Sequence, residues 1–287
     1  MKISVSSYSF SQYIMAGKLT QLSAIEAAKK IGLENIEFTE MMPPEGVTKE
    51  EYAHMLREEA DRLGMGITCY AINACMAHDT EEANRAEFKR VCEGVRIAKI
   101  LGAPVMRHDV FSQWSKKYRN FDAALEAMVP NIRAITSYAK ELGVKTMMEN
   151  HGFICQDADR VERIINTVND DNFGLLLDMG NFMCADEQSA LSVSRCAHLA
   201  FHVHAKDFYY RPYETETAEG FFRTRAGNQI KGSVIGEGVV PVEQCLHILK
   251  SKGYDGVCAI EYEGSDDCIE GITKGFHNLK KFIENVK

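Results

Sequence analysis

Leu142-Gly143-Val144-Lys145-Thr146-Met147-Met148-Glu149 holds one unit of the fold in short form. A helix ends at Leu142, Gly143 turns the chain back, an apolar strand follows, and the strand stops on a carboxylate. The turn needs a left-handed residue, a conformation that glycine adopts without a Cβ penalty. The same order recurs at Ile31-Gly32-Leu33, Leu63-Gly64, Leu101-Gly102 and Lys252-Gly253. Repeated helix–Gly–strand units predict alternating β and α elements around a parallel sheet.

Working outward, the apolar runs predict strands over 3–8, 35–38, 66–72, 104–107, 144–148, 173–177, 199–203 and 257–260. Helices are expected between them, as in the i, i+3, i+4, i+7 stripe of Val161, Ile164, Ile165 and Val168. Eight units in 287 residues fit a (β/α)8 TIM barrel. No GxGxxG follows the first strand, which argues against an open doubly wound sheet. No linker interrupts the pattern, so one domain is expected over 1–287. One stretch breaks the rhythm: 208–240 is too long for an ordinary connection. It reads as a loop insertion after strand seven, rich in aromatic and basic residues and ending in Gly236-Glu237-Gly238. Such loops at a barrel mouth form lids or substrate walls.

A formal charge of −8 argues against a nucleic-acid backbone as partner. Nine cysteines, an odd count with no CxxC, predict reduced thiols and a cytoplasmic location. No signal peptide is expected before the first strand, and no apolar run is long enough to span a bilayer.

Four strands end on a metal-ligand residue: Glu149, Asp178, His204 and Glu261. Parallel barrel strands bring their C-terminal ends to one face, where barrel enzymes hold their chemistry. Three carboxylates and one imidazole, with no thiolate, suit Mn2+, Mg2+ or a similar divalent ion with open positions. Co2+ and Zn2+ also accept such a set, but a structural zinc site would be closed and richer in sulfur. Other polar groups at strand ends are candidates for the substrate pocket: Arg107 and His108 after strand four, His151 two past Glu149, and Lys206 two past His204. His202 reads as a barrel-core histidine.

The runs Met148-Glu149-Asn150-His151-Gly152, Leu177-Asp178-Met179-Gly180-Asn181, His202-Val203-His204-Ala205-Lys206-Asp207, Gly236-Glu237-Gly238 and Ile260-Glu261-Tyr262-Glu263 resemble the xylose isomerase-like barrel superfamily. The resemblance covers essentially the whole chain. It implies one catalytic divalent ion, most often Mn2+, held by Glu149, Asp178, His204 and Glu261. It also implies that Glu149 and Glu261 act as an acid–base pair on a carbohydrate. The reaction would be isomerisation or epimerisation of a sugar or sugar phosphate, by proton abstraction next to a carbonyl through a metal-stabilised enediolate. Asn181, Arg211 and Glu237 are further candidates for substrate contact, and members of such families commonly form homo-oligomers.

The chain departs from the ketose 3-epimerases it resembles. They carry a His where Asn181 stands and a Glu where Cys155 stands, and Arg211 does not align cleanly with their substrate Arg. A lyase or dehydratase acting on a keto-sugar, keto-glycoside or inosose is therefore the main alternative. More distant alternatives are an abasic-site endonuclease and a non-catalytic sugar-binding barrel. The endonuclease needs extra His ligands for three metals, and strand three ends in Tyr70-Ala71-Ile72-Asn73 without one.

Overall fold

The computed structural model describes residues 1–286. Eight parallel strands close into a barrel: β1 (Lys2–Ser6), β2 (Asn35–Phe38), β3 (Gly66–Ile72), β4 (Val105–His108), β5 (Lys145–Glu149), β6 (Phe173–Asp178), β7 (Ala200–Ala205) and, last in sequence, β11 (Val257–Ile260). Closure is made by β1, which pairs with β2 through Val5↔Ile36 and with β11 through Lys2↔Val257. The helices that alternate with the strands are α2 (Gln21–Ile31), α3 (Lys49–Leu63), α4 (Glu81–Leu101), α5 (Phe121–Glu141), α6 (Ala158–Val168), α7 (Ser189–Cys196), α8 (Val242–Ser251) and α9 (Cys268–Asn285). The fold is the TIM barrel that the helix–Gly–strand repeats predict.

Local chemistry sets the helix ends. Thr20, Thr48, Thr80, Asn120 and Asp157 each accept a first-turn backbone N–H as N-caps. The expected turn glycines all have positive φ, from 63° at Gly64 to 103° at Gly32. In α6 the predicted stripe of Val161, Ile164, Ile165 and Val168 is buried against the sheet. Each of these side chains contributes roughly 1.5–3 kcal/mol of burial. Inside the barrel, Cys69, Val105, Met147 and Leu176 form a small apolar plug. Polar groups line the barrel above it.

Two expectations need correction. The first strand stops at Ser6, not Tyr8, because the Ser6 hydroxyl accepts the Tyr8 N–H (3.3 Å) and starts a tight turn over Ser7–Phe10. A short helix, α1 (Ser11–Met15), follows that turn. The insertion after β7 is a small antiparallel sheet rather than a loop. It comprises β8 (Asp207–Arg211), β9 (Phe222–Arg223) and β10 (Gln229–Ser233), in the order β8-β10-β9. Its root is Asp207, whose carboxylate accepts the backbone N–H groups of Phe208, Gly236, Gly238 and Val240 at 2.8–2.9 Å. Among the described residues no helix is long and apolar enough to cross a membrane. All nine cysteines are free thiols.

Candidate metal centre and active-site cavity

The C-terminal ends of β5, β6 and β7 and the residue after β11 bring Glu149, Asp178, His204 and Glu261 together. One ligand atom from each lies within 4.8 Å of the others, and all four residues are buried. His204 Nδ1 sits at the middle of the group, 3.4 Å from Glu261 Oε2, 3.8 Å from Asp178 Oδ2 and 3.9 Å from Glu149 Oε1. Barrel register explains the convergence: Asp178 pairs with His204 across β6 and β7, and Ala259 pairs with His204 across β7 and β11.

Glu37 was not among the sequence candidates, and it governs this histidine. It projects inward from β2 at 0% exposure and lies 2.7 Å from both His202 Nε2 and His204 Nε2. A carboxylate only accepts, so both Nε2 atoms carry hydrogen and donate to it. His204 Nδ1 is thereby turned toward the three other ligands. Glu37 itself is held well below the usual carboxylate range: burial opposes this, but the two histidines outweigh it. The available signal was a single acid between outward-facing Ile36 and Phe38, which alternation sends into the barrel.

The donor set fits a divalent ion. His204 Nδ1 is buried without a hydrogen-bond partner, and Asp178 Oδ2, 3.8 Å away, meets only the Lys206 ammonium. An orphaned buried nitrogen is rare in a protein interior, and this one faces three carboxylates. Asp178 is otherwise well held. Its Oδ1 accepts the N–H groups of Gly180 and Asn181 at 2.8 and 2.9 Å, and its backbone is clamped by the Asn150 side chain. Burial first, then Glu261 and Glu149, push Asp178 up to about 7 against the opposing pull of Lys206. Burial would lower His204, but Glu37 and Glu261 hold it well above its ordinary value.

Two cations balance the carboxylates. Lys206 Nζ is 2.6 Å from Glu261 and 3.1 Å from Asp178, and it donates to Asn181 Oδ1 (3.0 Å) and Glu263 (3.3 Å). Arg107 Nη2 lies 2.6 Å from Glu149 and 3.0 Å from Asp109. Burial raises the Glu261 carboxyl, yet Lys206 and His204 override it and hold it well below the usual range.

A cavity of about 540 Å³ opens over this centre, and Arg107, Glu149, His151, His204, Lys206 and Glu261 line it. His151 also lines an adjoining cavity of about 440 Å³, with Nδ1 3.2 Å from Asp109. Asn181 lies beneath the cavity and ties Glu149 to Lys206 through hydrogen bonds of 3.0 Å each. His202 is a buried core histidine, as expected.

Three candidates for substrate contact lie elsewhere. Alternation along β4 sends Arg107 inward and His108 outward, where its Nδ1 meets the Asp109 carbonyl. Arg211 stacks on Phe221 within the inserted sheet, 4.5 Å from the ring centre. Glu237 is exposed on the turn beyond β10. Both belong to the insertion, whose two ends Asp207 joins.

Comparisons with known proteins agree with the architecture. The zinc-bound IolI protein superposes with a TM-score of 0.77 at 18% identity, covering 100% of this chain and 99% of that one. D-psicose 3-epimerase from Clostridium cellulolyticum H10 gives 0.76 at 13% identity, with 99% of each chain covered. The probable 3-DHS dehydratase AsbF from Bacillus anthracis gives 0.72 at 15% identity, covering 98% of this chain and 99% of that one. No curated protein matches the chain. The family described as Xylose isomerase-like TIM barrel matches residues 25–282. With that match over most of its length and eight parallel strands closed around a carboxylate–imidazole cluster, the chain belongs to the xylose isomerase-like TIM barrel family.

Proposed function

We propose that this chain is a divalent-metal-dependent sugar isomerase or epimerase that moves a proton on carbon next to a carbonyl. One observation carries the reading: Glu149 and Glu261, from opposite ends of the second half of the chain, converge on His204 Nδ1 beneath one cavity. Glu149, Asp178, His204 and Glu261 would hold the ion, and the hard-oxygen-rich set favours Mn2+. When bound, a divalent ion supplies Lewis-acid stabilisation of negative charge developing on substrate oxygens.

The protein's own groups divide the remaining work. Arg107 pairs with Glu149 and Lys206 with Glu261. Lys206 and His204 hold Glu261 as a carboxylate despite its burial, so it is a weak base and needs charge stabilisation on the substrate before it can deprotonate carbon. Asn181 fixes Glu149 and Lys206 at a set separation. The nine free thiols support a reducing, cytoplasmic setting.

Elimination is the second reading, favoured by the Asp109–His151 pair. His151 faces both cavities and is oriented by a carboxylate, so it could serve a leaving group that the glutamate pair does not reach. The probable 3-DHS dehydratase AsbF, which shares this fold, is in keeping with that chemistry.

The test is a screen of Mn2+-loaded protein against ketoses, keto-glycosides and inososes, read by NMR and mass. A product of unchanged mass with deuterium at one carbon supports isomerisation. Loss of water or an aglycone supports elimination and removes the first reading. Glu261→Gln should cut proton exchange by about 10²–10⁴-fold, and full activity would exclude Glu261 from the chemistry.

A further inference from the structure

We infer that the natural substrate is an uncharged sugar derivative carrying an apolar appendage, rather than a free monosaccharide or a sugar phosphate. The inference rests on the sugar chemistry proposed above and names the substrate class for that site. Two independent observations support it: the wall of the cavity and its charge.

From the first two βα connections the 540 Å³ cavity takes Tyr8, Ile14, Met15 and Met42, with Ser7, Ser11 and Thr39 between them. Met15 and Met42 are 78% and 51% exposed and Tyr8 is 45% exposed, so apolar surface remains accessible at the cavity's edge. A volume in the range of about 300–1,000 Å³ is that of sites for drug-sized ligands, larger than a single sugar ring fills. Exposed methionines at a cavity mouth provide adaptable apolar contact.

This wall is built in advance. Gln21 is buried; its Oε1 accepts the Met42 N–H (2.9 Å) and its Nε2 donates to the Glu40 carbonyl (3.0 Å). The Thr39 N–H donates to the Ser7 hydroxyl at 3.0 Å and joins the two connections. Gln12 of α1 accepts the Cys268 N–H at 3.0 Å, and Tyr13 donates to Asp267. These bonds fix Ile14 and Met15 against the start of α9. A preformed apolar wall contributes to affinity without an ordering cost.

Charge disfavours a phosphate. Glu40, Asp109, Glu149, Asp178, Glu261 and Glu263 surround the space, against Arg107 and Lys206. Both cations already have two or more carboxylate partners. A phosphate dianion would meet a lining rich in carboxylates and would have to compete with existing ion pairs for Arg107 and Lys206.

Calorimetric titration of the Mn2+-loaded protein with three probes tests this: D-glucose, phenyl β-D-glucopyranoside and D-glucose 6-phosphate. The phenyl glycoside should bind about tenfold or more tighter than glucose, as partial burial of one ring allows. Glucose 6-phosphate should bind no tighter than glucose. The M15A/M42A double variant, altered only at exposed positions, should reduce the phenyl advantage to below about threefold and leave glucose affinity unchanged. Tightest binding by the phosphate, equal binding of glycoside and glucose, an advantage that survives the double variant, or no binding of any probe would each overturn the inference. Failure of the isomerase reading would look different: no turnover in the screen, with the probe order intact.

Discussion

Glu37 Oε1 lies 2.7 Å from His204 Nε2, while the same carboxylate holds His202 through its other oxygen. One acid on β2 therefore sets the tautomer and ring angle of the only nitrogen ligand, on β7. Outer partners of this kind typically account for about 10–100-fold in metal affinity. Glu37→Gln is close in shape but donates through one arm, so it cannot accept from both histidines. Mn2+ affinity should fall by about that factor, measured by competition with a chelator, with the fold kept by circular dichroism. Unchanged affinity would show that packing alone orients His204.

Metal binding should be linked to protons. In the metal-free protein burial, Glu261 and Glu149 push Asp178 up to about 7, and Glu37 with Glu261 holds His204 well above its ordinary value despite burial. Both groups then carry protons that an ion must displace, so protons are released on binding and affinity rises with pH. Apparent Mn2+ affinity should climb from about pH 6 to about pH 8, and titrations in buffers of different ionisation enthalpy should show net proton release. A flat profile would mean that the ligands are already deprotonated.

The barrel was legible because each unit carries local signals: a Gly with positive φ after a helix, then an apolar run. Strands over 35–38, 66–72 and 257–260 match the expected bounds. The four cluster residues were legible because each ends its strand. Glu37 was not, since nothing local marks it: its meaning comes from His202 and His204, more than 160 residues away. Arg211 was named from the family resemblance, and Glu237 as an anchor of the long insertion. Its pairing depends on Asp207 collecting four backbone N–H groups across the insertion, which is invisible to periodicity. His108 shows the limit of reading strand ends without phase: a one-residue difference from Arg107 reverses the face.

Lys206 should matter most when no ion is bound. Its ammonium is 3% exposed and lies among Asp178, Glu261 and Glu263. Lys206→Met leaves those carboxylates buried together, which costs about 3–5 kcal/mol when one partner of a buried pair is removed. A saturating divalent ion stabilises only the folded state and offsets part of that loss. The variant's thermal midpoint should therefore drop in chelator and recover partly with Mn2+, giving a larger metal-induced shift than the parent shows. Equal shifts in the two proteins would separate Lys206 from the metal centre.

Asp207 should control the inserted sheet without touching the metal cluster. Its two oxygens accept from Phe208 and Val240 and from Gly236 and Gly238, so it closes the insertion at both ends. Asp207→Ala orphans several of these N–H groups, at about 1–3 kcal/mol for each that stays buried. Gly238→Ala attacks the same joint from the other side, since its Cβ would come 2.2 Å from Asp207 Oδ1 and 2.4 Å from the Phe208 carbonyl. Both variants should be cleaved by trypsin within 223–231, at Arg223, Arg225 or Lys231, under conditions in which the parent stays intact. Cleavage tracks local opening, so it should rise while the barrel's global unfolding midpoint moves far less. Parallel loss of barrel stability in both variants would mean that the insertion and the barrel unfold as one unit.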